Sequence, residues 1–231
     1  MKIGIIGAME LEIDSLRTSI ESCKETKIGR FVFYEGSLNG IEVVLLLSGI
    51  GKVSASVATT ILIERYNPSL IINTGTAGGL GDTSVHDIIL ATEVRHHDVD
   101  VTAFGYEIGQ QAQMPPAFIA NTQWTEKLKQ VAERYSHTLH YGQVVSGDSF
   151  ISSPTRLQEI ANTFPKAKAV EMEAAAIAQT CYLLNIPFVM LRAISDKAGE
   201  GNAGSYETFV VEAGKLSATI IKAFLASISE T

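Results

Sequence analysis

An apolar approach, Ala169-Val-Glu-Met-Glu-Ala174, breaks off at Glu173, and a helix of small residues from Ala174 to Leu184 starts at once. The next apolar run, Pro187 to Ile194, ends in Ser195-Asp196. Read as strand–helix–strand, this is a crossover unit, and such units commit a chain to an α/β architecture. The same reading puts Glu173 and Asp196 at the carboxyl ends of two strands, the rim where open α/β sheets bind ligands. Arg192 lies close by in the second strand. Two carboxylates and a guanidinium delivered to one rim point to a site.

The rest of the chain supplies strands and helices to match. Lys2 to Gly7 is a continuous apolar strand, as expected for one covered on both faces. Glu10 to Ile20 reads as a helix with Ile13, Leu16 and Ile20 on one face. Its first turn carries Glu10, Glu12 and Asp14, and the helix dipole alone explains acidic residues there. Glu12 nevertheless shares the rim of Glu173 and Asp196. Phe31–Leu38 and Ile41–Leu47 flank Asn39-Gly40, a hairpin turn because both residues tolerate positive φ. Ser48-Gly-Ile-Gly51 leads into a helix over 52–66; it is either a phosphate cradle or a close-packed turn, and fits no nucleotide-binding fingerprint. The strand Leu70–Asn73 runs into Thr74-Gly-Thr-Ala-Gly-Gly-Leu80, whose missing side chains let a flat ligand approach. A surface helix over Thr125–Tyr135, with Trp124 packing beside it, and a strand over Tyr141–Val145 come next. The strand enters Ser146-Gly-Asp148, where Asp148 is expected to bond its own turn. Residues 197–204 read as a glycine-rich flap, with Ser205 capping the last helix. With no repeat or linker, residues 1–231 form a single domain.

Several function classes drop out. Lys+Arg 18 against Asp+Glu 25 leaves a net charge of −7, unsuited to nucleic acid or an anionic membrane. The N-terminal apolar run is too short for a signal segment or a span. Cys23 and Cys181 lack any paired spacing, so no disulfide framework is expected and the compartment is the cytoplasm. His96, Asp98 and Asp100 share one face of an extended segment, but no second cluster completes a metal site, and an interface strand is the better reading. Residues 102–118, with Phe104, Tyr106 and Met114, form a long, poorly periodic loop, which compact domains usually keep for function. No Ser/His or Cys/His pair suggests acyl transfer. Carboxylates alone can cleave a glycosidic bond, protonating the leaving group and aiming water at an oxocarbenium-like carbon.

Seven motifs in order carry a more specific signal. Gly4-Ile-Ile-Gly-Ala-Met-Glu10 with Glu12, Ser48-Gly-Ile-Gly-Lys52, Asn73-Thr-Gly-Thr-Ala-Gly-Gly79 and Asp98-Val-Asp-Val-Thr-Ala-Phe-Gly-Tyr106 are four of them. Ser146-Gly-Asp148, Val170-Glu-Met-Glu-Ala174 and Arg192-Ala-Ile-Ser-Asp196 complete the set. Over essentially its whole length the chain resembles the bacterial 5′-methylthioadenosine/S-adenosylhomocysteine nucleosidases. The resemblance implies a nucleoside-phosphorylase-like α/β fold, a three-layer sandwich with a mixed, twisted central sheet flanked by helices. It implies a homodimer without cofactor or metal that hydrolyses the N-glycosidic bond of 5′-thio-substituted adenosines. By carry-over Asp196 is the general acid toward adenine N7, and Glu12 activates water with help from Arg192 and Thr76. Glu173 then binds the ribose hydroxyls. Ala77, Gly78, Phe150, Ile151 and Ser195 shape the adenine slot; Met9, Ile50, Met172 and Tyr206 line the ribose and alkylthio pocket. Val101, Phe104 and the loop around Ala112 reach the partner's pocket. Thr76, Tyr206 and Ala112 depart from the residues usual in the family (Ser, Phe and, in close relatives, Pro). The nearest rival is a purine nucleoside phosphorylase, kept open by Arg30 and Arg192, and a non-catalytic adenosine sensor is the alternative of another class.

Met172 and Glu173 cannot both face a ligand from one straight strand. The strand is therefore expected to end there.

Overall fold

A computed structural model describes residues 1–135, 138–197 and 203–229, the side chains of 197 and 203–208 excepted. The element order is β1 (Lys2–Gly7), α1 (Glu10–Arg17), β2 (Glu21–Ile28), β3 (Phe31–Leu38), β4 (Ile41–Leu47), α2 (Lys52–Tyr66), β5 (Leu70–Gly79) and β6 (Ile88–His96). After β6 come β7 (Phe118–Ile119), α3 (Thr122–Ala132), β8 (Leu139–Ser146), α4 (Pro154–Thr163), β9 (Ala167–Glu171), α5 (Ala174–Leu183), β10 (Phe188–Lys197) and α6 (Ala203–Ser229).

One mixed sheet runs β10-β6-β8-β9-β5-β1-β4-β3-β2. Its two faces bury separate cores. Ile13 and Leu16 of α1, Leu128 of α3 and Ile220 and Phe224 of α6 pack on one face. Ala58 and Leu62 of α2 and Ile177 and Cys181 of α5 pack on the other. This is the three-layer α/β sandwich expected. Buried on both faces, β1 and the first residues of β5, Leu70 to Ile72, are apolar without alternation, as the two-sided cover requires. Trp124 packs edge-on against Phe224, a core residue as expected.

The sheet also closes on itself at one end. β10 pairs in parallel with β5 as well as antiparallel with β6, so β5, β10, β6, β8 and β9 form a ring. Gly78 of β5 is the point of convergence, opposite Val170 of β9 on one side and Asp196 of β10 on the other. That double pairing brings the ends of β9 and β10 to one place.

Several boundaries differ from expectation: α3 starts at Thr122 and so contains Trp124, and α1 ends at Arg17. β5 continues through the glycine segment to Gly79, because the small residues there stay extended. The edge strand β2 is polar and mostly exposed, so it carries no apolar signal. α6 starts at Ala203, so Ser205 lies inside the helix and does not precede it. The proposed flap falls largely on 198–202, outside the described residues, and so do the side chains of Ser205 and Tyr206.

Candidate active site

One cavity of about 410 Å³ lies where these strands converge, within the range of small-molecule sites. Glu12, Glu173 and Asp196 all line it, with Met9, Ile50, Thr76, Ala77, Gly78, Phe150, Met172 and Ser195. A recess of about 40 Å³ shares Gly78, Phe150, Met172 and Asp196 with it and adds Ile151. Arg192 is the exception among the residues expected here. Its side chain is 2% exposed and lies behind the lining, bonded to Asn73 Oδ1 at 2.9 Å and Glu171 Oε2 at 2.8 Å. Val101 and Phe104 are not in the lining either, and Phe104 is 81% exposed.

Glu12 is held by local structure. As the third residue of α1 it reaches back to the amides of Ala8 and Met9, which donate to Oε2 at 2.9 and 3.1 Å. The amide and hydroxyl of Thr76 donate to Oε1 at 2.9 and 3.1 Å. A carboxylate meeting four donors is fixed in place. Gly75 makes the approach possible: its φ of +148 suits glycine, and a Cβ there would lie 2.5 Å from Glu12 Oε1.

Glu171 explains how Met172 and Glu173 both reach the cavity. It is the last residue of β9, and its Oε2 accepts the amides of Glu173 and Ala174 at 3.0 and 2.9 Å. Ser146 Oγ donates to its other oxygen and accepts the amide of Ala175 at 2.8 Å. The side chain thus caps α5 from three residues before it and turns the chain out of the strand. Sequence reasoning placed the break but missed this residue, which strand alternation assigns to the opposite face from Met172.

The carboxyl of Glu173 is pushed up to about 8, first by burial and then by the charge of Glu171. The amide of Gly51, donating to Oε1 at 2.8 Å, and Arg192 pull the other way. The folded chain therefore holds this proton more tightly than the unfolded chain does. Its contribution to stability is full below about pH 4.5 and is lost as pH rises toward 8. Glu173→Gln, neutral at every pH, should raise the thermal stability of the empty protein above pH 8 by on the order of 2 kcal/mol. Melting curves from pH 4 to 9 check this; a parent and variant differing equally at both ends would refute it.

Other residues singled out in sequence have different partners. His96 Nε2 meets Gln179 Oε1 at 2.9 Å, Asp98 meets Lys52, and Asp100 accepts from Thr102. Among the described residues, no group of three His, Cys, Asp or Glu is placed to hold a metal. Asp148 does not bond its own turn; it accepts the amide of Lys52 at 2.7 Å. The Gly49–Gly51 turn is thus no phosphate cradle. The amides of Gly51 and Lys52 at the start of α2 already serve carboxylates. Arg30 is exposed in the β2–β3 turn, and the charge of Arg192 faces Glu171. An anion site for phosphate needs free amides and arginines facing the cavity; those amides are taken, and neither arginine is in the cavity lining.

The family model of the phosphorylase superfamily matches residues 2–226. A 5′-methylthioadenosine/S-adenosylhomocysteine nucleosidase of Psychromonas ingrahamii is 46% identical, covering 99% of this chain and 100% of that protein. The solved structure of the nucleosidase of the same name from Neisseria meningitidis, in complex with methylthio-immucillin-A, superposes with a TM-score of 0.95. It is 46% identical and covers 98% of this chain and 99% of that one. Futalosine hydrolase of Helicobacter pylori superposes at 0.92 with 31% identity, over 100% of this chain and 98% of that one. Sequence and fold thus agree along the full length, around a cavity whose lining includes Glu12, Glu171, Glu173 and Asp196. The chain belongs to the 5′-methylthioadenosine/S-adenosylhomocysteine nucleosidase family of the phosphorylase superfamily.

Proposed function

We propose that this enzyme hydrolyses the N-glycosidic bond of 5′-methylthioadenosine and S-adenosylhomocysteine, and of 5′-deoxyadenosine, releasing adenine and the 5-substituted ribose. It would serve methionine salvage and clear a by-product of methyl transfer. The observation that carries the reading is the convergence of Glu12, Glu173 and Asp196 on one cavity, with Glu12 fixed by four donors.

The labour divides by environment. Asp196, whose Oδ1 accepts from Ser195 Oγ at 2.8 Å, gives its proton to N7 of the leaving base. Withdrawing electrons from the ring weakens the C–N bond, and positive charge builds on the ribose. A water held between Glu12 and the Thr76 hydroxyl attacks the anomeric carbon and passes its proton to Glu12. Arg192 Nε and Nη1 have no protein acceptor among the described residues, and buried donors of this kind call for one. A water behind the lining would supply it and tie Arg192 to the nucleophile. Glu173 takes the ribose hydroxyls. Ala77, Gly78, Phe150, Ile151 and Ser195 enclose the base, while Met9, Ile50, Met172 and Tyr206 receive the 5′ substituent.

The working form is a homodimer. Phe104, exposed in its own chain and apart from its own cavity, suits a neighbour's pocket, together with Val101. Both cysteines are unpaired, which suits the cytoplasm. No helix among the described residues is long and apolar enough to cross a membrane.

Incubation with methylthioadenosine, with and without phosphate, tests the chemistry. Free methylthioribose in both cases is expected. A sugar phosphate formed only with phosphate would make the enzyme a phosphorylase, and no turnover would leave a binding protein. Light scattering on the same preparation should give twice the chain mass, and a fully active monomer would rule the dimer out.

A further inference from the structure

α2 begins without a cap of its own. Its N-cap residue is Gly51, and its first turn offers no acidic side chain. Two carboxylates from far along the chain take the first amides: Glu173 accepts from Gly51 at 2.8 Å and Asp148 from Lys52 at 2.7 Å. Asp148 is in turn fixed. Its own amide donates to Asp98 Oδ2 at 3.0 Å, and Asp98 Oδ1 accepts Lys52 Nζ at 2.6 Å. The contacts close a ring in which Lys52 appears twice, once by its amide and once by its ammonium. Burial alone would raise the carboxyl of Asp98. The ammonium of Lys52 and the amide of Asp148 instead hold it below its ordinary value. Gly51 has a φ of +92, and a Cβ there would come within 3.1 Å of Asp148 Oδ1, so the ring fits only around glycine.

A cap serving the helix alone would need nothing beyond Asp148 on the Lys52 amide. Here the neighbouring amide, Gly51, is directed to a residue of the cavity. A small shift of this turn therefore moves the donor that fixes Glu173, whose Oε2 meets no hydrogen-bonding group among the described residues. We propose that Lys52, Asp98 and Asp148 are positioning residues that lock the first turn of α2 so that Gly51 orients Glu173 toward the 2′,3′-hydroxyls of the nucleoside. The inference rests on the reading of Glu173 as the group that binds the ribose.

The test compares a non-hydrolysable 5′-methylthio C-nucleoside with its 2′,3′-dideoxy counterpart, in the parent, Lys52→Met, Lys52→Arg and Asp98→Asn. For Lys52→Met the intact nucleoside should bind roughly tenfold more weakly, the scale of one hydrogen bond. The dideoxy compound and free adenine should bind as to the parent. KM for methylthioadenosine should rise by a similar factor, more than kcat falls. Lys52→Arg, which keeps a cation for Asp98, should restore most of the affinity. Asp98→Asn, isosteric with the native residue, should repeat the diol-dependent loss and gives a reading should Lys52→Met fail to fold. Losses equal for both compounds, or no loss for either, would overturn the positioning role. A parent that binds both compounds equally would instead overturn the reading of Glu173, and the ring's role with it.

Discussion

Asp196→Asn is expected to lower kcat for methylthioadenosine by roughly 10²–10⁴, the range for removing one general acid–base group, with little loss of stability. The amide oxygen can still accept the Ser195 hydroxyl that Oδ1 accepts now, so that contact survives while the acidic proton is lost. Glu12→Gln should lose activity to a similar extent, yet it is the less clean experiment. Each oxygen of Glu12 faces two donors, and whichever end receives the new NH2 group will point it at two of them. That variant should melt at a lower temperature as well. Single-turnover rates with thermal melts on both variants separate the chemistry from the packing. Near-normal kcat in Asp196→Asn would refute the role assigned to it.

The contrast between these two carboxylates also shows what the sequence made legible. The strand–helix–strand unit ending in Asp196 could be read because apolar runs and a block of alanines mark it. The same signals place β1, the β3–β4 hairpin and α2 within a residue or two of where they fold. The polar edge strand β2 had no such signal, and α4, in which only Ile160 is buried, offers few apolar positions to read. The closure of β10 onto β5 is a long-range pairing, and nothing local encodes it.

At the site, most residues named in sequence do line the cavity, because they follow strand ends. The misses share a cause. Asp98, Lys52 and Asp148 act through partners 46 to 96 positions away, and Glu171, besides the two amides just after it, is held by Ser146 and Arg192, 25 and 21 positions away. Spacing along the chain cannot reveal such contacts. Composition hinted at Asp148, but a local turn was the simpler expectation for an aspartate after glycine.

Glu171→Ala should destabilise the fold by about 3–5 kcal/mol, the scale for breaking a buried ion pair by removing one partner. The side chains of Arg192 and Glu171 are 2% and 4% exposed, so the guanidinium left behind loses its counter-ion away from bulk solvent. Three further donors lose their acceptor at once: Ser146 Oγ and the amides of Glu173 and Ala174. Because those two amides fix the turn out of β9, Glu173 should lose its orientation, and KM for the nucleoside should rise in whatever fraction stays folded. A double variant, Glu171→Leu with Arg192→Met, separates the two effects. Apolar replacement of a buried pair is often neutral, so stability should return in good part. Turnover should not return, since the strand end still lacks the carboxylate that aims Glu173 and the guanidinium behind the lining is gone. Denaturant melts and steady-state kinetics on the three proteins decide the matter. Recovery of kcat/KM along with stability would mean that the pair serves the fold alone.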